Sequence, residues 1–455
     1  MDKIQIYSPI DGKLLGEVEA MTKEEIEEKI QKLKKAYKTF SELDILKRAN
    51  YLRKASELIK NRAEDLAKLM TVEISKPYKD SLTEVLRSVE MMDYTIEEAL
   101  RIQNEVYSGE SFGSKDKVCL SLRQALGIIL CIAPFNYPIN LSLSKIVPAL
   151  IMGNVVLFKP PTQGSLVCSE MVKILNEVLP EDVLTIATGR GSVIGDYINT
   201  HKDIAFINFT GSTQIGKRIS NQADLKGLMM ELGGKDAAIV LKDADLSKAA
   251  SEIVKGAFSY SGQRCTAIKR VLVDKEVKEE LVSKICDLVD KLKVGHPMDN
   301  ADITPLIDGK SADFVQSLID DAIDKNAKVL RGNKRKQNLI YPCILDNVTL
   351  DMKVAFEEPF GPVLPIITVA NVDEAIEIAN MSNYGLQSAI FTKDITKAFE
   401  IAKKLEVGTV HINNKTQRGP DNFPFLGIKD SGIGVQGIRY SILSMTRLKN
   451  IVFDM

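Results

Sequence analysis

The sequence predicts an α/β protein with a largely parallel sheet in each of two cycles. Three observations carry this reading. The first hundred residues hold long amphipathic helical patterns, with apolar residues at spacings of three and four and charge on the opposite face. From about residue 117, short apolar runs alternate with helical segments, the βαβα rhythm of a sheet covered on both faces. A second alternating cycle runs from about 236 to 425.

The elements follow in order. Helices are predicted at Lys23–Phe40, Ile45–Lys60 and Pro77–Asn104, with Thr22 and Glu25 at capping-box spacing before the first. Strands are predicted at Gly127–Ala133, Val155–Lys159, Val183–Ala187, Ile204–Phe209 and Gly227–Glu231. Helices near 140–151, 165–178, 191–200 and 212–223 separate them. In the second cycle the strands are Ala237–Leu241, Arg270–Val273, Val363–Val369 and Ser388–Thr392. Its helices lie near 246–261, 275–293, 311–326, 372–380 and 396–405. Two strand-like segments, Val118–Arg123 and Arg447–Phe453, stand outside both cycles as candidates for a separate pairing element.

Composition narrows the function classes. The chain has 455 residues, 45% hydrophobic and 27% charged, the profile of an ordinary globular protein of two to four domains. Its net charge of −1 offers no basic excess for a nucleic-acid partner. The six cysteines (119, 131, 168, 265, 286 and 343) form no CxxC pair and no zinc-finger spacing. No metal is therefore expected, and a reduced, cytoplasmic protein is. No signal peptide is apparent at the N-terminus. Residues 125–144 are uncharged, but prolines and asparagines interrupt them, so a buried strand, turn and helix are expected rather than a membrane span.

Several motifs carry chemistry. Gly211–Lys217 resembles a phosphate-binding P-loop, but Arg218 stands where a magnesium-binding Ser or Thr is needed; an NTPase is disfavoured. The loop still opens a helix, so its N–H groups can meet a phosphate. Gly189, Gly191 and Gly195 open another helix with GxGxxxG spacing, a weak dinucleotide signal. Cys265 sits among small residues in SGQRCTA, and Arg264 beside it favours a thiolate; an inert core cysteine is the alternative. His411 is retained as a conceivable partner for a cysteine protease. Glu231 ends a strand before two glycines, and Asn136 lies in a Phe-Asn-Tyr-Pro turn, where it is either a turn former or an oxyanion donor.

Taken together, APFNYP (133–138), FKPPTQGS (158–165), FTGST (209–213), MELGGK (230–235), GQRCTA (262–267), EEPFGPVLP (357–365) and PFLGIKDSGIG (424–434) closely resemble the aldehyde dehydrogenase superfamily. The resemblance implies that fold: a Rossmann-like cofactor domain (1–116 and 126–235), an α/β catalytic domain (236–430) and a small β oligomerisation element (117–125 and 431–455). It also implies Cys265 as nucleophile, Asn136 and the Cys265 N–H as oxyanion donors, and Glu231 as the base that hydrolyses a thioester. For the cofactor it implies Phe135, Lys159, Thr162, Gly191, Gly195, Thr210, Gly211, Ser212, Leu232, Glu358 and Phe360. Thr162 stands where NAD-preferring members often carry Glu, so NADP is expected, with NAD use conceivable. FKPPTQGS, GRGSVIGDYI and QRGPDNFPFLG are similar to the non-phosphorylating glyceraldehyde-3-phosphate dehydrogenases. That narrower resemblance implies a phosphate clamp of Arg101, Tyr137, Arg264 and Arg418. Lactaldehyde or succinic semialdehyde is the alternative substrate, and a homotetramer, a dimer of dimers, is the implied assembly.

Overall fold

A computed structural model describes residues 2–455. The chain opens with a hairpin, Lys3–Tyr7 against Leu14–Glu19, which helical periodicity did not reveal. Four helices follow: Lys23–Phe40, Ile45–Asn61, Ala63–Ile74 and Tyr78–Ala99. The first carries the expected capping box, with Thr22 and Glu25 each satisfying the other's backbone N–H. The last stops five residues short of the expected end, and Glu105–Ser108 is a strand instead.

The first parallel sheet is ordered Gly432–Ile433, Gly227–Glu231, Ile204–Thr210, Ile128–Ile132, Val155–Lys159, Leu184–Ile186. All pairs are parallel except the first. Ile128–Ile132 is central and fully buried, which explains its unbroken apolar run. From it the chain winds outward to one side through Val155–Lys159 and Leu184–Ile186. It then returns to the other side with Ile204–Thr210. The reversal creates a crevice at the carboxyl ends of the strands, the usual ligand site of such sheets.

The second sheet is ordered Lys328–Arg331, Cys343–Asp346, Val363–Val369, Arg270–Asp274, Ala237–Val240, Gln387–Phe391, Thr409–Ile412. Buried apolar clusters cover both of its faces. Its edge strands were missed in the sequence because they are short and only half-buried.

A separate three-stranded sheet joins Thr446–Asp454, Lys117–Ala125 and Glu105–Ser108 in that order. Two segments pair differently from the expected division of the chain: Glu105–Ser108 in this sheet and Gly432–Ile433 in the first. Glu105–Ser108 belongs to the small β element rather than to the first domain. No described helix is long and apolar enough to cross a membrane.

Candidate active site

A cavity of about 610 Å³ opens at the carboxyl ends of the first sheet. It is of the size cofactor sites have. Phe135, Asn136, Lys159, Gly191, Gly195, Thr210, Gly211, Ser212, Leu232, Cys265, Glu358 and Phe360 line it. Twelve predicted site residues from seven stretches of sequence therefore meet in one crevice.

Cys265 is delivered from the second domain. The turn before it holds Tyr260, Ser261 and Gly262 at φ 52, 53 and 73°. A Cβ on Gly262 would stand 2.4 Å from the Gly361 carbonyl oxygen, so only glycine lets these two loops close together. The Cys265 N–H finds no acceptor among the described residues. Asn136 Nδ2 donates to the Gln263 carbonyl at 2.9 Å, which pins the amide beside the cysteine. Its second N–H is left for an oxyanion.

The thiol differs from expectation. Burial first, and the Glu231 charge second, push the Cys265 thiol up to about 12. Arg264 does not offset this, because its guanidinium turns away to the Gly256 carbonyl. Lys269 acts in the opposite direction, reaching the Cys265 carbonyl and pairing with Glu358 at 3.2 Å. Cys265 therefore rests as a thiol.

Glu231 is buried, and each of its carboxylate oxygens has a donor. Oε2 accepts from the Thr210 hydroxyl at 2.9 Å, and Oε1 accepts from Arg418 Nη1. Thr210 in turn accepts from Lys145 Nζ at 2.7 Å. Lys145 is fully buried, which pulls its ammonium down to about 8. Arg418 also donates to Gln436 Oε1 at 2.9 Å and stacks 4.8 Å from the Phe425 ring.

The loop carrying Asn136 and Tyr137 is held from below by charge. Lys76 and Glu84 form an ion pair in which both side chains are 1% exposed. Lys76 donates to the Asn136 carbonyl at 3.1 Å and sits 3.5 Å from the Tyr137 ring centre. Glu84 accepts the N–H groups of Ile139 and Asn140 at 2.9 and 3.0 Å, capping the helix Asn140–Ile151. On the far side of the crevice Glu73, also buried, accepts from Gly164, Leu166 and Val167, and so fixes the turn after Lys159. The sequence signal for Glu73 and Glu84 is a carboxylate on the apolar face of a helix.

One predicted phosphate ligand is misplaced. Arg101 lies past the end of the helix Tyr78–Ala99, 65% exposed, 3.9 Å from Glu98. Arg87 on that helix reaches the loop that carries Arg418. It grips Asp421 through Nε and Nη2 at 2.7 and 2.8 Å and donates to the Arg418 carbonyl at 3.1 Å. Fourteen residues separate the two arginines, about 20 Å of helical rise, so they cannot exchange roles. The structure places Arg264 as buried beside Cys265, with Nε lacking a partner. Lys217 of the P-loop-like motif points outward to Asp430 at 2.6 Å, which removes the NTPase reading. His411 does not line the crevice; it sits on Thr409–Ile412 of the second sheet. Among the described residues no cluster of three or more His, Cys, Asp or Glu side chains could hold a metal ion.

The crevice fits a dinucleotide. The helices Gly191–Thr200 and Thr213–Gln222 present their N-termini to it, and neither has a side-chain cap. Ser212 thus keeps its hydroxyl free for a phosphate. Lys159 donates only to the Pro160 carbonyl, at 2.9 Å, and has further N–H groups to offer a ribose. Thr162 is exposed next to Pro161, which lines the crevice.

Comparison with known proteins agrees with this geometry. Residues 1–451 match the aldehyde dehydrogenase family. The chain belongs to that family. It is 54% identical to the NADP-dependent glyceraldehyde-3-phosphate dehydrogenase of Streptococcus equinus, over all of this chain and 96% of the relative. The Nicotiana plumbaginifolia enzyme of the same name is 48% identical over 99% of this chain and 92% of the relative. The crystal structure of the Bacillus halodurans C-125 enzyme complexed with NADP superposes with a TM-score of 0.99. It is 52% identical, and the match covers 100% of this chain and 96% of that one. Cys265 and Asn136 line the crevice, and the buried Glu231 carboxylate stands behind it against the lining residue Thr210.

Proposed function

We propose that this enzyme oxidises D-glyceraldehyde 3-phosphate to 3-phosphoglycerate with NADP, without inorganic phosphate. One observation carries the substrate assignment. Arg418 pairs with Glu231, and Arg87 stands behind it, donating to the Arg418 carbonyl at 3.1 Å. Such a group of cationic donors suits a dianion at the mouth of the site and has no use for an uncharged aldehyde. Arg87 takes the place in the clamp expected for Arg101.

NADP, held by the crevice residues, supplies the hydride acceptor. The chain's own groups do the rest. The Cys265 thiol loses its proton to water and Sγ bonds to the aldehyde carbon as the C=O π pair moves onto oxygen, giving the thiohemiacetal oxyanion. The free N–H of Asn136 and the Cys265 N–H hold the oxyanion. After oxidation the acyl group is a thioester on Cys265. Glu231 takes a proton from water, whose oxygen bonds to the thioester carbon and releases the acid. The arginines hold the phosphate throughout, so the carbonyl stays over Cys265.

The decisive experiment is a panel of aldehydes assayed with NADP and NAD in the absence of added phosphate. The highest kcat/KM is expected for glyceraldehyde 3-phosphate with NADP. A preference for lactaldehyde or succinic semialdehyde would replace this reading with oxidation of another small aldehyde. The assembly we propose is a dimer of dimers. Its support is the strand Thr446–Asp454, an unpaired sheet edge whose Leu448, Ile451, Val452 and Phe453 are exposed. Six free thiols support a reducing compartment such as the cytoplasm.

A further inference from the structure

Arg418 has two claims on its guanidinium. In the resting chain Nη1 is bound to Glu231 Oε1, while Glu231 Oε2 holds the Thr210 hydroxyl at 2.9 Å. Both oxygens of the base are thus occupied. A carboxylate whose two oxygens are both engaged by donors has fewer lone pairs open to a proton from water. The same guanidinium is the one assigned above to the substrate phosphate, and this inference rests on that assignment.

We infer that Arg418 locks Glu231 until a phosphate draws it away, so that thioester hydrolysis is the step that selects a phosphorylated substrate. The backbone at Arg418 is tethered, since its carbonyl accepts from Arg87 Nη2 at 3.1 Å. To turn to the phosphate, the guanidinium exchanges its bonds to Glu231 and to Gln436 Oε1 while its backbone stays fixed. A dianion offers the guanidinium more charge than the monoanionic Glu231 does. Once Arg418 turns to the phosphate, Oε1 is freed, while Thr210 still holds Oε2 and keeps the carboxylate oriented. Water then loses a proton to Oε1, its oxygen bonds to the thioester carbon, and the C–S bond breaks with the electron pair leaving on Cys265 Sγ. An aldehyde without a phosphate forms the thioester but leaves the lock closed.

The test supplies the substrate in two pieces. Wild-type enzyme is mixed with NADP and unphosphorylated glyceraldehyde, with and without phosphite dianion. NADPH is followed by stopped flow, and acid-quenched protein is weighed intact for the acyl group on Cys265. Without phosphite, a burst of NADPH and an acylated protein are expected. Phosphite should raise the slow phase by about tenfold or more and empty the acyl adduct, with the burst unchanged. In Arg418→Gln the slow phase should be fast without phosphite and insensitive to it. Arg418→Lys, which keeps a cation but not the fork, should retain a weaker response and decides the matter if the Gln variant does not fold. No burst with glyceraldehyde, or a slow phase indifferent to phosphite, overturns the lock. If phosphite does nothing while Arg418→Gln still raises the KM for glyceraldehyde 3-phosphate, the clamp stands and only the lock fails. If that KM is unmoved and the wild type prefers uncharged aldehydes, the clamp itself fails.

Discussion

Lys145 donates to the Thr210 hydroxyl at 2.7 Å from a position with no solvent exposure. An ammonium buried there disfavours folding while it is charged. Its pKa falls from 10.5 to about 8 through burial. The unfolded chain therefore binds more protons between these values, and stability rises with pH across that window. Lys145→Met should be more stable than the wild type below pH 8, by on the order of 3 kcal/mol, and the advantage should fade towards pH 10.5. Thermal melts of both proteins across pH 7–10.5 check this; a constant difference would refute it.

The free enzyme should resist thiol reagents at neutral pH. With its thiol pushed up to about 12, Cys265 carries little thiolate. Inactivation by iodoacetamide at pH 7 should be at least about 100-fold slower than for an ordinary free cysteine, and should keep rising with pH past 9. Glu231→Gln removes the second-largest cause of the shift and should speed alkylation. A plateau near pH 8 in the wild type would show a normal thiol.

Arg87 and Arg101 make a matched pair of controls. Arg87→Ala should raise the KM for glyceraldehyde 3-phosphate by about tenfold or more, equivalent to about 1.4 kcal/mol. Unphosphorylated glyceraldehyde should be affected far less. Arg101→Ala should change neither value appreciably, because the side chain is 65% exposed past the helix end. The reverse ranking would restore Arg101 to the clamp.

Thr162→Glu places a carboxylate next to Pro161, where the 2′-phosphate is expected. The NADP/NAD ratio of kcat/KM should shift towards NAD by roughly 1–3 kcal/mol. An unchanged ratio would locate the 2′-phosphate elsewhere.

Lys76→Met leaves the Glu84 carboxylate buried without its cation. Loss of about 3 kcal/mol is expected in denaturant melts. The kcat should fall as well, since Lys76 also holds the Asn136 carbonyl. A stable variant with normal kcat would mean that the two N–H groups on Glu84 suffice.

Much of the molecule is legible in the order of residues. Val155–Lys159, Gly227–Glu231 and the helix Asn140–Ile151 lie where periodicity places them, because burial on one or both faces dictates a local pattern. The motifs around Asn136, Glu231 and Cys265 mark the chemistry, because a tight turn, a close approach and a small-residue pocket each demand particular residue types. Tertiary structure decided what depends on distance. Arg418 meets Glu231 across 187 residues, and nothing local to either residue encodes that pair. Both Arg87 and Arg101 read as charges on one helical stretch; only the packing of Tyr78–Ala99 against the loop at 418–421 tells which one reaches that loop. The strand Glu105–Ser108 is exposed on both faces and so lacks an apolar signature, and its pairing with Lys117–Ala125 defines it. The state of the Cys265 thiol was decided the same way: sequence sets Arg264 beside it, but burial and the Glu231 charge, both products of the assembled crevice, set its proton affinity.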